Sequence, residues 1–226
     1  EIIRPILRGR DIQKYDVEFS ELYVIGTFPS MKLEIDNYPS VKEHLLSFGL
    51  ERLEQSGNKH FINGNNISSR KKTGNKWFET QDQIGYWQDF KQPKIIYPEI
   101  TKYINFYFDD NNHYYINNKC FILTGNHIEY LTAFLNSSLF KFCFLDNFPE
   151  LLGGTRELRK MFFEKIPVIK IKNSDNQIFK EKIIKIQELK KDNKNTKSME
   201  IEIDEIIFKM YNLTPEEIEK IGFIEI

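Results

Sequence analysis

Residues 55–78 read QSGNKHFINGNNISSRKKTGNKWF, and in that stretch Lys59, Arg70, Lys71, Lys72 and Lys76 stand without a single acid. Lysine and arginine neutralise phosphates, and asparagine side chains present both a donor and an acceptor to the edge of a base. Trp77 and Phe78 close the stretch, and aromatic rings there either stack on an exposed base or pack the foot of the loop onto a core. These residue types suit contact with a nucleic acid. They suit a solvated surface loop as well, and the segment alone leaves the two open.

Charge elsewhere is equally uneven. Residues 153–172 hold Arg156, Arg159, Lys160, Lys165, Lys170 and Lys172 against Glu157 and Glu164, whereas residues 199–226 carry eight acids and two lysines. The formal net charge of −1 therefore conceals a basic body and an acidic tail. Other chemistries lack their residues. His44, His60, His113 and His127 show no metal-ligand spacing among themselves or with the cysteines. No G-x-G pair offers a dinucleotide or Walker loop, and no G-x-S-x-G elbow is present. Asp175 with Glu188 and Lys190 has the formal spacing of a metal-dependent nuclease. Those residues fall on an expected exposed helix, however, where i and i+2 point apart.

The stretch at 89–100, DFKQPKIIYPEI, sets Ile95 and Ile96 between Pro93 and Pro98. Both isoleucines are expected in the core. The prolines confine ladder pairing to a short strand or an edge, and Glu99 reads as a solvated carboxylate.

The elements that must position these residues follow from periodicity. Residues 21–28 have strand composition. Residues 41–54 carry Val41, Leu45, Phe48 and Arg52 at helical spacing, with Ser40 as the expected N-cap and Pro39 as a boundary. After the long loop, strands are expected at 94–97, 103–108 and 114–123, with DDNN at 109–112 as a turn. A buried helix is expected over 127–145, a break at Gly153-Gly154, and an extended segment at 165–171. Helices follow from 178 to 189 and from 198 to 211, and Thr214, Pro215 and Glu217 form a capping box for a last one. The fold class is α+β: a mixed β-sheet body with packed helices over residues 1–173, and a C-terminal helical appendage over 174–226.

Forty per cent apolar and 29 per cent charged residues are ordinary for a soluble globular chain of 226 residues. Cys120 and Cys143, in KCFIL and FCFL, read as small core residues of a reducing compartment. No apolar run reaches the length of a membrane span. The start, EIIRPILRGRD, has neither an initiating Met nor a signal sequence and reads as a cut from a longer polypeptide.

Five blocks carry a resemblance. PILRGRDIQKY, WFETQDQIGYWQDFKQPKIIYPEI, YYINNKCFIL, YLTAFLNSSLFKF and KIPV resemble, in that order, the TaqI-like C-terminal specificity domain. That family supplies target recognition to adenine-specific DNA methyltransferases and to methyltransferase–endonuclease fusions of bacterial restriction–modification systems. The ending IDEIIFKMYNLTPEEIEKI is similar to the tail of such proteins. The family's F-x-K-P-K-I stretch falls on Phe90, Gln92, Pro93, Lys94 and Ile95, with Gln92 where lysine is more usual. It implies a framework strand with Lys91 or Lys94 near phosphate.

The resemblance implies a chain that binds double-stranded DNA and carries no catalysis. Its implied DNA-binding residues are Asn63, Asn65, Asn66, Ser68, Arg70, Lys71, Lys72, Lys76 and Trp77 from the loop. To these are added Lys91, Lys94, and Thr155 and Arg156 beside the Gly-Gly turn. Arg8 and Arg10 touch the DNA backbone or pair with Asp11, the second being favoured. No cofactor or metal is expected here; S-adenosylmethionine and the Pro-Pro-aromatic motif that holds a flipped adenine belong to an N-terminal methyltransferase domain. That domain, and in fused enzymes a nuclease domain, are the implied partners, in the cytoplasm and away from membranes. The competing expectation is a docking module of a multisubunit restriction–modification system, with its acidic helices on a partner and only weak DNA affinity.

Overall fold

The computed structural model describes residues 2–223. In chain order these form strands β1 (Ile3–Leu7), β2 (Ile12–Gln13), β3 (Asp16–Val17) and β4 (Tyr23–Ile25), helices α1 (Pro39–Leu46) and α2 (Leu50–Leu53), and strands β5 (Lys59–Ile62) and β6 (Asn65–Ser68). Strands β7 (Lys94–Pro98), β8 (Ile100–Thr101), β9 (Tyr107–Asp109), β10 (Tyr115–Ile116) and β11 (Cys120–Leu123) follow. Helices α3 (Ile128–Leu135) and α4 (Ser138–Asn147) precede strand β12 (Arg156–Glu157) and helices α5 (Lys160–Phe163), α6 (Asn173–Lys191), α7 (Lys197–Met210) and α8 (Pro215–Ile221). The fold is α+β, with small sheets and packed helices. The chain divides into two compact units, Glu1–Arg4 with Tyr23–Gln88, and Pro5–Leu22 with Asp89–Ile226.

In the larger unit, β7 is the middle strand of an antiparallel sheet, with β11 on one side and β9 on the other. All its residues are buried, because successive side chains point to opposite faces and both faces are covered. Ile95 and Tyr97 enter the main core with Phe106, Phe108, Phe134 and Phe140. Ile96 enters a smaller cluster with Leu7, Ile12, Tyr107 and Cys120. Ile95 and Ile96 are thus core, as expected, and the short strand is central. Helices α6 and α7 deliver Phe179, Ile183, Ile186, Ile203, Ile207 and Phe208 to the same main core.

Three expected elements break where side chains offer the backbone another partner. The helix expected over 127–145 is two helices, because Ser137 caps α4 by accepting from the Phe140 N–H at 3.1 Å. Asn136 just before it is fully buried, and its amide bonds the backbone of Phe106 in both directions, at 3.2 and 2.8 Å. That pairing occupies the Phe106 backbone, and the strand expected from 103 begins at Tyr107. The stretch 114–123 likewise splits into β10 and β11, where Asn117 Oδ1 accepts from the Lys119 N–H at 3.1 Å. Buried Asp204 of α7 accepts from the Ser138 N–H at 2.8 Å, a carboxylate set against a helix N-terminus. Replacing Ser137 with alanine is expected to lower the free energy of unfolding by about 1–2 kcal/mol, read by urea denaturation. A loss well under that range would mean that Asn136 alone sets the break.

In the smaller unit, the helix expected over 41–54 is also two, separated by a turn in which Gly49 takes φ +89°. Tyr38 rather than Ser40 is the N-cap, with Pro39 at the first helical position. Of the apolar residues read at helical spacing, Val41 and Leu45 are half-buried and Phe48 is exposed. At the far end of the chain the Thr214 capping box forms as expected: Thr214 Oγ1 accepts from Glu217 N–H at 3.3 Å, and Glu217 Oε2 accepts from Thr214 N–H at 2.8 Å.

Candidate nucleic-acid interface

The segment 55–78 is built around a hairpin. Asn63 and Gly64 occupy its tip with φ of +50° and +79°, the left-handed pair that a two-residue type I′ turn requires. The register sets Lys59 opposite Ser68, His60 opposite Ile67, Phe61 opposite Asn66, and Ile62 opposite Asn65. Alternation then sorts the side chains. His60, Ile62 and Ile67 lie half-buried on one face, with exposed Asn65 on the same side. Lys59, Phe61, Asn66 and Ser68 share the other, all exposed. Phe61 is 74% exposed, a large ring offered to solvent between an amide, a hydroxyl and an ammonium. Sequence reasoning missed Phe61 because it overlooked Asn63-Gly64 as a hairpin signal, and without the hairpin the two faces are undefined.

Arg70 departs from its expected role. Its guanidinium donates from Nε to Leu53 O at 2.8 Å, from Nη1 to Glu79 O at 2.8 Å, and from Nη2 to Trp77 O. Burial pushes its pKa below the ordinary arginine value. Gln55 works beside it: Nε2 donates to Lys76 O and Glu79 O at 3.1 and 2.8 Å, and Oε1 accepts from Thr73 Oγ1 at 2.6 Å. Arg70 and Gln55 thus tie the strand leaving the hairpin to residues 76–79. Trp77 packs edge-on against buried Phe78 at 5.6 Å, half-buried itself. Lys71 and Lys72, just past the clamp, are exposed and form no ion pair among the described residues. Lys76 is exposed too, with Nζ 3.3 Å from Glu34 and above the Phe78 ring.

The larger unit holds the other expected residues, and there Lys94 is corrected. It is fully buried, with Nζ 2.7 Å from both Asp109 Oδ2 and Phe90 O, so it has no path to a phosphate. Burial lowers its pKa, against the pull of Asp109. Lys91 is exposed at the end of the turn before β7. Arg156 is drawn inward: Nη1 donates to Phe148 O at 2.6 Å, Nη2 lies 3.4 Å from Glu150, and the guanidinium stands over Phe144. Thr155 Oγ1 donates to Leu152 O at 3.1 Å. Arg8 pairs with buried Asp11, as favoured, through Nη2–Oδ1 at 2.8 Å and Nε–Oδ2 at 3.0 Å. Burial pushes the Asp11 pKa up, but the Arg8 and Ser20 bonds hold it below the usual carboxylate range. Arg10 is exposed without an ion pair among the described residues.

Residues 4–168 match the TaqI-like C-terminal specificity domain. The chain belongs to that family. The match takes in the hairpin, the clamp and the whole β7 sheet, and it ends before α6. The chain of this specificity-domain family is also 26% identical over 226 residues to the type II methyltransferase M.BstVI of Geobacillus stearothermophilus, covering 97% of this chain and 36% of that protein. It therefore spans about a third of the length of the curated relative it matches. Among the described residues, no helix is long and apolar enough to cross a membrane.

Proposed function

We propose that this specificity domain recognises a sequence in duplex DNA for a restriction–modification methyltransferase, holding the site for adenine methylation by a catalytic domain of the same polypeptide. In this reading S-adenosylmethionine and the chemistry belong to that other domain, in the cytoplasm. Residues 1–173 form the recognition region, and 174–226 the helical tail. The observation that carries the reading is the hairpin face of Lys59, Phe61, Asn66 and Ser68, braced at its foot by Arg70. A rigid two-stranded ribbon of this kind fits the major groove, where an asparagine amide pairs with a base edge. Lys71 and Lys72 supply charge for the adjoining phosphates. The likeness to a type II methyltransferase supports the parent class.

The test begins by selecting the preferred duplex from a random pool with this chain, then follows binding by fluorescence anisotropy. Asn66→Ala is expected to reduce preference for the selected over a scrambled duplex by about tenfold or more, leaving the salt dependence unchanged. Lys71→Gln with Lys72→Gln is expected to weaken both duplexes equally and to flatten the salt slope by roughly one per phosphate contact. If neither variant differs from the parent, the hairpin does not face DNA.

A further inference from the structure

We infer that a basic trough on the larger unit, running from Arg10 past Tyr103 to Lys102, Lys141 and Lys190, carries the phosphodiester backbone of the bound duplex; this rests on the proposed reading of the chain as a DNA-recognition domain. Two adjoining recesses form it, of about 690 and 550 Å³, and they share Gln13, Tyr103 and Asn105. Lys14, Lys102, Lys141 and Lys190 line the second, and no acid does. Only Lys14 among them is neutralised, by buried Glu200. Arg10, Lys102, Lys141 and Lys190 form no ion pair among the described residues.

Want of acids does not explain this, since the chain has 33 acids against 32 lysines and arginines. On α6 itself, Lys180, Lys182 and Lys185 pair with acids, whereas Lys190, which lines the trough, and Lys191 beside it form no ion pair among the described residues. Lone cations along these two recesses, where the one lining acid, Glu99, is paired with Lys119, keep their charge for something outside the chain. The middle of the trough supplies neutral donors. Tyr103 is 67% exposed, with its backbone pinned by Thr101: Thr101 Oγ1 donates to Tyr103 O at 2.6 Å and accepts from Tyr103 N–H at 3.1 Å. Asn105 is fixed by its bond to Ile12 O at 3.2 Å. Cations alternating with amides and a phenol are the mixture that holds phosphates in register without reading bases.

The closing experiment measures duplex affinity of the full chain at several salt concentrations, with Lys102, Lys141 and Lys190 all changed to Gln. The expected result is a log–log salt slope flatter by about 2–3, and an affinity on the order of 100-fold lower at about 0.1 M salt, for selected and scrambled duplexes alike. Lys102→Gln with Lys141→Gln, both at exposed positions, repeats the test without half-buried Lys190 and is expected to flatten the slope by about 2. A parent chain that binds duplex while both variants keep its slope overturns the trough and leaves the hairpin proposal standing. A parent chain that binds no duplex overturns the recognition reading itself, and the trough with it. Competition by polyglutamate as effective as by duplex overturns the phosphate assignment in favour of an acidic protein partner.

Discussion

Replacing Lys94 with methionine lowers the free energy of unfolding by about 3–5 kcal/mol, measured by urea denaturation, because it strands a buried charge. Lys94 and Asp109 face each other across β7 and β9, both wholly inaccessible, with Nζ and Oδ2 2.7 Å apart. The carboxylate does more than balance the ammonium. Its Oδ1 accepts from the backbone N–H groups of Asn112 and His113 at 2.9 and 3.2 Å, and Oδ2 accepts from Tyr114 at 2.8 Å. Asp109 therefore closes the turn that returns the chain from β9 to β10, and Lys94 packs its ammonium against that carboxylate in a fully buried site. Asp109→Asn alone leaves the ammonium unpaired and is expected to cost a similar amount. The double variant Lys94→Met/Asp109→Asn removes both charges and retains an acceptor for the turn. It should recover about 2 kcal/mol relative to the sum of the single losses. A single variant within about 1 kcal/mol of the parent would contradict the burial of the pair. DNA affinity of the folded fraction should not change in any of the three, which separates this framework lysine from one that touches phosphate.

The same pair marks where the sequence stops being legible. The apolar run Ile95–Ile96–Tyr97 announces a buried strand by its composition, and the structure places it in the centre of the sheet. That the lysine beside it points inward depends on a partner 15 residues away, which only the strand register brings opposite. Lys94 in isolation is an ordinary lysine after a proline. The divided helix at Asn136-Ser137-Ser138 was legible, since a serine cap within an apolar helical pattern is a known stop and start. So was the hairpin, from Asn63-Gly64 between strand-forming residues. In each case the apolar periodicity or the polar composition of the longer segment hid a two-residue signal. The chemistry of the candidate interface was legible as residue types. Which side chains face out was not, because exposure of Phe61 and withdrawal of Arg70 follow from pairings made after the loop closes.

Arg70 gives the sharper test of that distinction. Charge-based expectation makes it a DNA contact; its hydrogen bonds make it the clamp at the foot of the hairpin. Arg70→Ala is expected to cost about 2–4 kcal/mol, since three carbonyls of Leu53, Trp77 and Glu79 lose a charged donor. Arg70→Lys should recover little of this. An ammonium is one point of charge on a flexible stem, and it cannot donate along the diverging directions that a planar guanidinium covers. The measurement that separates the roles is amide hydrogen exchange. Gly57 N–H donates to Arg70 O at 2.9 Å, and Ser69 N–H to Asn58 O at 3.0 Å, so both report whether the foot of the hairpin stays closed. A clamp predicts faster exchange at both amides in Arg70→Lys, together with weaker DNA binding through a loosened ribbon. Lys71→Gln with Lys72→Gln should leave both amides as protected as in the parent while still lowering affinity, because those ammonium groups form no ion pair among the described residues. Unchanged exchange at Gly57 and Ser69 in Arg70→Lys, with duplex binding lost, would return Arg70 to the DNA-facing surface.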